Sequence, residues 1–210
     1  MYAANSVDIS HPRAMRTYPT RGSTLDPTIV QALCATMATP FLFEPVKIGP
    51  RLREESFIGG ALGANNPTRE LIKEAALIFG ESKRVAQVLS LGAGRPGHLP
   101  PHSSKETDQP NQILKSLYLD CETVAAELST RFFNVDAYCR LNAESMAETS
   151  DITDWSGIDT IESKTIAYVG EPAVTEAIRE SIQFIVTKAA TVTLGQISTW
   201  SLPLILRDLR

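Results

Sequence analysis

The chain has 210 residues, 43% of them hydrophobic and 21% charged, with a formal net charge of -4. That is enough apolar material for one globular domain with a sizeable core. The charge pattern excludes an electrostatic footprint for nucleic acid or anionic lipid, because Arg13, Arg16 and Arg21 are scattered and no polybasic run occurs.

No apolar stretch approaches the roughly 18 residues of a membrane span, and the N-terminus lacks the charged-then-apolar order of a signal peptide. Cys34, Cys121 and Cys139 are odd in number and far apart. They fit buried thiols in a reducing compartment better than a disulfide frame or a zinc site. The expected location is cytoplasmic.

In chain order, residues 1–27 read as irregular, with His11-Pro12, Tyr18-Pro19 and Asp26-Pro27 as turn formers. A helix is predicted over 27–37, capped by Asp26 or Thr28, with Ile29, Val30, Leu33, Cys34 and Met37 on one apolar face and Pro40 as its stop. Residues 41–48, interrupted by Pro45, read as an edge strand. Asn66-Pro67-Thr68 opens a second helix through Leu71, Ile72, Ala75 and Phe79, ended by Gly80. The nearly uncharged run 85–91 reads as a buried strand, and the strand–helix–strand order suggests a parallel α/β crossover.

Residues 92–110 are rich in Gly, Pro, Ser and His and read as a long loop. A helix is predicted over 111–133, a strand over 138–142, a polar turn over 151–156, and helices over 158–168 and 171–189. The domain is read as 1–190, with 191–210 as a tail.

The segment Phe57-Ile58-Gly59-Gly60-Ala61-Leu62-Gly63-Ala64-Asn65-Asn66-Pro67 resembles the Asp-Gly-Gly/Ala block of the patatin-like phospholipases. Other pieces resemble that family in the same order. They are the small-residue helix 28–40, the strand Phe41-Leu42-Phe43, the helix from Thr68 and Val88-Leu89-Ser90-Leu91-Gly92-Ala93-Gly94. Asp120-Cys121-Glu122 and Tyr138-Cys139-Arg140-Leu141-Asn142 follow, similar to fungal-type members.

The resemblance implies an α/β fold: an incomplete three-layer α/β/α domain with a mostly parallel sheet and a helical C-terminal part. It also implies a lipid acyl hydrolase, a phospholipase or acylglycerol esterase of lipid catabolism that uses a Ser-Asp dyad. A serine hydroxyl is a weak nucleophile until a base takes its proton, and backbone N–H donors hold the oxyanion.

By this alignment Gly59 occupies the aspartate position, followed by Gly60 and Ala61, and the 210 residues contain no Gly-x-Ser-x-Gly. No catalytic residue is therefore intact. The expectation is a chain inactive alone, with a non-catalytic binding or regulatory module of the same fold as the alternative. No metal or cofactor is expected. The expected ligand, if any, is a lipid or acyl ester, and a protein supplying the missing half-domain is a further expected partner. Met1 is read as an internal methionine under one account of the missing serine half.

Several signals compete with this reading. Glu54 and Glu55 precede the motif and read as solvated charges on a turn. Gly92-Ala93-Gly94-Arg95-Pro96-Gly97 fits the dinucleotide fingerprint, but the prolines after it argue against the helix that fingerprint requires, so a structural turn is expected. His98 and His102 lie in a proline-rich loop without a nearby third ligand. His11 stands alone, and Ser6, Ser103 and Ser104 lack an elbow context. The apolar run 200–206, with Pro203 inside it, reads as a packed or partner-covered tail.

Overall fold

The computed structural model describes residues 1–9, 11–20, 25–40, 42–95, 120–143, 155–187, 190 and 192–198. By their contacts these fall into two compact units, the first holding the described residues of 1–67 and residue 120, the second those of 68–95 and 121–198.

The first unit starts with β1 (Tyr2–Ala3) paired antiparallel to β2 (Arg13–Ala14). Helix α1 (Ile29–Met37) begins at Thr28, whose hydroxyl accepts from the Gln31 N–H while the Gln31 side chain accepts from the Thr28 N–H. This reciprocal capping box decides between the two predicted caps. Strand β3 (Val46–Ile48) starts directly after Pro45 and pairs antiparallel with β4 (Glu55–Phe57). A kinked turn, α2 (Ala61–Ala64), follows the Gly59 motif.

Ala3, Met15, Ala32, Ala35, Ile48 and Phe57 form this unit's core. The buried side of α1 is its small side, Ala32, Ala35 and Ala38, whereas the predicted apolar face is exposed, from 44% at Leu33 to 70% at Ile29. Alanines let the helix approach β1 and β3 closely, so packing distance rather than side-chain size selects the face. Cys34 shares that exposure, which corrects its reading as a buried thiol; Cys121 is buried and Cys139 half-buried, and none of the three is in a disulfide.

The second unit contains α3 (Thr68–Phe79), β5 (Arg84–Val85), β6 (Val88–Leu91), α4 (Glu122–Arg131), β7 (Tyr138–Leu141), a 3-10 turn at Trp155–Gly157, α5 (Ile158–Val169), α6 (Pro172–Thr187), β8 (Val192–Thr193) and α7 (Leu194–Ser198). The run read as one strand is two. β5 pairs antiparallel with β8, and β6 pairs parallel with β7, Val88 facing Tyr138. Only Val88 and Ser90 of β6 are buried, in strict alternation with Leu89 and Leu91.

The α/β class stands. Among the described residues the parallel pairing is confined to β6–β7, and the other three pairs are antiparallel. The expected crossover from the 41–48 strand does not form, because β3 is taken by β4; the parallel pair instead brackets α4. Helix α4 opens at Glu122 rather than joining a helix from 111, since Asp120 and Cys121 are non-helical; 111–119 lie outside the described residues.

The core of this unit joins Ile72, Val88, Leu128, Phe132 and Ala137 with Val192, Leu194 and Ile197. The last three come from the segment read as a tail. Besides the β5–β8 ladder, the Leu194 N–H donates to the Lys83 carbonyl and the Gly195 N–H to the Glu81 carbonyl, both at 2.8 Å. Burying three aliphatic side chains contributes about 2 kcal/mol each and each main-chain bond about 1 kcal/mol. Ordering costs about 1.5 kcal/mol per residue, so for Val192–Ser198 the two sides nearly cancel.

Candidate functional site

The Gly59 turn is assembled almost wholly from main chain. Ile58 N–H donates to the Ala4 carbonyl at 3.0 Å and Ala4 N–H to the Gly59 carbonyl at 2.7 Å, extending the bridge between Asn5 and Phe57. Gly60 N–H donates to the Thr36 carbonyl at 2.9 Å, and the Thr36 hydroxyl donates to the Tyr2 carbonyl at 2.6 Å.

Gly59 is buried with φ at +104°, and a Cβ built on it meets the Ala38 carbonyl oxygen at 3.2 Å. L side chains rarely adopt that backbone conformation. At Gly60 a Cβ would lie 2.5 Å from both the Thr36 hydroxyl and the Tyr2 carbonyl oxygen. Both positions are therefore shaped for glycine, and an aspartate at Gly59 would strain the turn.

A cleft of about 300 Å³ opens beside the turn, bordered by Tyr2, Thr36, Gly60, Ala61, Asn65 and Pro67 among others. Among the described residues its lining carries Tyr2, Thr36 and Asn65 as polar side chains and no carboxylate or imidazole. Glu55 is committed elsewhere, accepting from Arg13 at 3.3 Å and Asn5 at 3.0 Å, and Glu54 is exposed. No general base is assembled here from the described residues.

Residues 7–72 match the sequence model of the patatin-like phospholipase family. Over that stretch, 66 of the 210 residues, the sequence is similar to patatin-like phospholipases. The match takes in α1, β3, β4, the Gly59 turn and the start of α3. The later resembling pieces, around Gly92, Glu122 and Arg140, lie beyond it. No curated protein and no solved structure matches the chain.

A dense polar cluster among the described residues of the second unit involves none of the residues that the sequence singles out as a site. Glu122, the first residue of α4, accepts from Asn142 Nδ2 at 2.7 Å, Arg95 Nε at 3.3 Å and Arg140 Nη2 at 3.4 Å. Arg140 Nη1 donates to Ser90 Oγ at 3.0 Å, and Ser90 bonds Thr68 at 2.9 Å. Asn142 N–H donates to Tyr168 Oη at 3.0 Å.

Burial pushes the Glu122 carboxyl up, but the Asn142 and Cys121 hydrogen bonds and then the Arg95 and Arg140 charges hold it below its ordinary value. Burial, then the hydrogen bond to Glu122, pushes the Cys121 thiol up, and burial likewise raises Tyr138. A raised thiol is a poor nucleophile. The signal for this cluster in the sequence was Arg140, a charged residue inside the short strand Tyr138–Leu141.

This cluster also takes up the described glycines of the Gly92 segment, whose Pro96 and Gly97 lie outside the described residues. Gly92 N–H donates to the Leu141 carbonyl and Gly94 N–H to Asn142 Oδ1, both at 2.8 Å, so neither is available to a phosphate. A Cβ on Gly92 would lie 2.1 Å from Asn142 Oδ1. His11 is exposed and pairs with Asp8 at 3.0 Å. His98, His102, Ser103, Ser104 and residues 200–206 lie outside the described residues. Among the described residues, no group of three or more His, Cys, Asp or Glu is placed to hold a metal, and no helix is long and apolar enough to cross a membrane.

Proposed function

We propose that this chain is a patatin-like acyl-hydrolase segment that does not itself cleave esters. The observation that carries the reading is Gly59. It stands where the family's base is expected, offers no side chain, and has a backbone conformation that disfavours one. The 210 residues also contain no Gly-x-Ser-x-Gly from which a nucleophile would act. Members of such a catalytic unit act together, so losing them leaves little rate to measure.

The test is turnover of medium-chain p-nitrophenyl esters and of phosphatidylcholine in mixed micelles. The expected rate equals that of heat-denatured chain. Saturable turnover with both substrates contradicts the proposal.

The second reading, a non-catalytic module that binds an acyl ester, is supported by the cleft beside Gly60 and Ala61, whose lining mixes apolar Ala61, Ala64 and Pro67 with polar Tyr2, Thr36 and Asn65. It predicts saturable binding of a fluorescent acyl lipid that Ala61→Arg weakens by about tenfold, equivalent to about 1.4 kcal/mol. Binding unchanged in that variant would remove the cleft from the account.

A further inference from the structure

Helix α1 turns its large apolar side chains outward. Ile29, Leu33 and Met37 form one row at i, i+4 and i+8, and Val30 and Cys34 form the next row. All five are exposed, Ile29, Val30, Leu33 and Met37 by 44% or more, while Ala32, Ala35 and Ala38 hold the opposite side in the core. The longer polar side chains are already engaged: Gln31 closes the N-terminal cap, and the Thr36 hydroxyl donates to the Tyr2 carbonyl. A helix with apolar residues on both sides is ordinarily covered on both.

Charge separates this face from the other exposed apolar residues. No charged residue occurs between Asp26 and Glu44. Leu71, Leu77 and Phe79 of α3 share their helix with Arg69, Glu70, Lys73 and Glu74. Ile182, Ile185 and Val186 of α6 share theirs with Glu176, Arg179 and Glu180. An uncharged face is complementary to a copy of itself, because pairing sets no like charges together. It also lacks the lysines and arginines with which an interfacial helix holds a lipid surface.

We propose that the outer face of α1 is a self-association surface, and that its occupant is α1 of a second copy of this chain. In a two-fold arrangement, the Ile29, Leu33 and Met37 row of one copy lies in the groove between that row and Val30 and Cys34 of the other. Leu33, the middle of the row, then lies at the two-fold axis. The four large side chains present roughly 500 Å² per copy, the scale of a functional apolar patch. Two such faces bury about 1,000 Å², the lower limit of a specific interface, so the dimer is weak and reversible. The capping box and the alanine packing already fix the helix, so pairing carries little ordering cost.

Sedimentation velocity on the full chain, from micromolar to near-millimolar concentration, should show a reversible monomer–dimer equilibrium. Leu33→Lys and Leu33→Glu should each weaken it by about tenfold or more. Mixed in equal amounts, these two variants should associate again, because position 33 meets its own counterpart across the axis. Ile29→Lys, at the more exposed end of the row, should weaken the dimer as well, and replaces a Leu33 variant whose circular dichroism departs from that of the unvaried chain.

A chain that stays monomeric, a dimer untouched by these substitutions, or folded Leu33 variants that stay apart when mixed would each overturn the proposal. So would binding of the monomer to phosphatidylcholine vesicles that Leu33→Lys abolishes, which would give the face to a lipid surface.

Discussion

The Gly59 turn and the Glu122 cluster divide the expected features of an active site between them. The turn has the family's sequence context and a cleft, yet its side chains include no acid or base. The cluster has a carboxylate, two arginines, a thiol and a buried serine joined by hydrogen bonds and ion pairs, with Arg140 Nε buried without a hydrogen-bond partner among the described residues. The turn is held mainly by main-chain bonds around two glycines, whereas the cluster is held by polar side chains that bond one another.

That contrast breaks most visibly at Gly92. Gly92→Ala should destabilise the second unit by about 3 kcal/mol, because the added methyl must displace the buried Asn142 side chain. Urea unfolding measures this, and a midpoint within error of the unvaried chain would show that the cluster is looser than its bonds suggest.

Asn142→Ala comes next, at about 2.5 kcal/mol, since it leaves Gly94 N–H and Glu122 without their 2.8 Å and 2.7 Å partners. Gly59→Asp should cost about 2 kcal/mol through its positive φ, and should bring no ester turnover. A stable, active Gly59→Asp chain would reverse the reading of the turn.

The smallest effect is Glu122→Gln, about 1 kcal/mol after allowance for the carboxylate's 36% exposure. Its sign with pH follows from the lowered carboxyl pKa. The stabilisation is present above the ordinary carboxylate range and is lost as pH falls through the depressed folded value. The unvaried chain and the Glu122→Gln variant should therefore converge in stability in acid and separate toward neutral pH; a constant gap would assign the effect to packing.

Much of the helical layout was legible, because caps and periodicity are local. Thr28 and Gly80 stand where the sequence signals put helix ends. Partner choice was not legible. Residues 85–91 look continuous in composition, but Val85 and Val88 belong to different ladders, one antiparallel and one parallel. Burial of α1 went to its alanines because close approach, which periodicity does not encode, decided the face. The Gly59 motif was readable as an absence of aspartate. That its backbone also resists one required the dihedral angle.

The central claim is that a patatin-like segment persists here without a working nucleophile. Its most direct test is incubation of the 210-residue chain with a fluorophosphonate ester, followed by intact-mass spectrometry. The account predicts an unchanged mass under conditions that fully label a serine hydrolase. A stoichiometric adduct, abolished by substituting one serine, would contradict it.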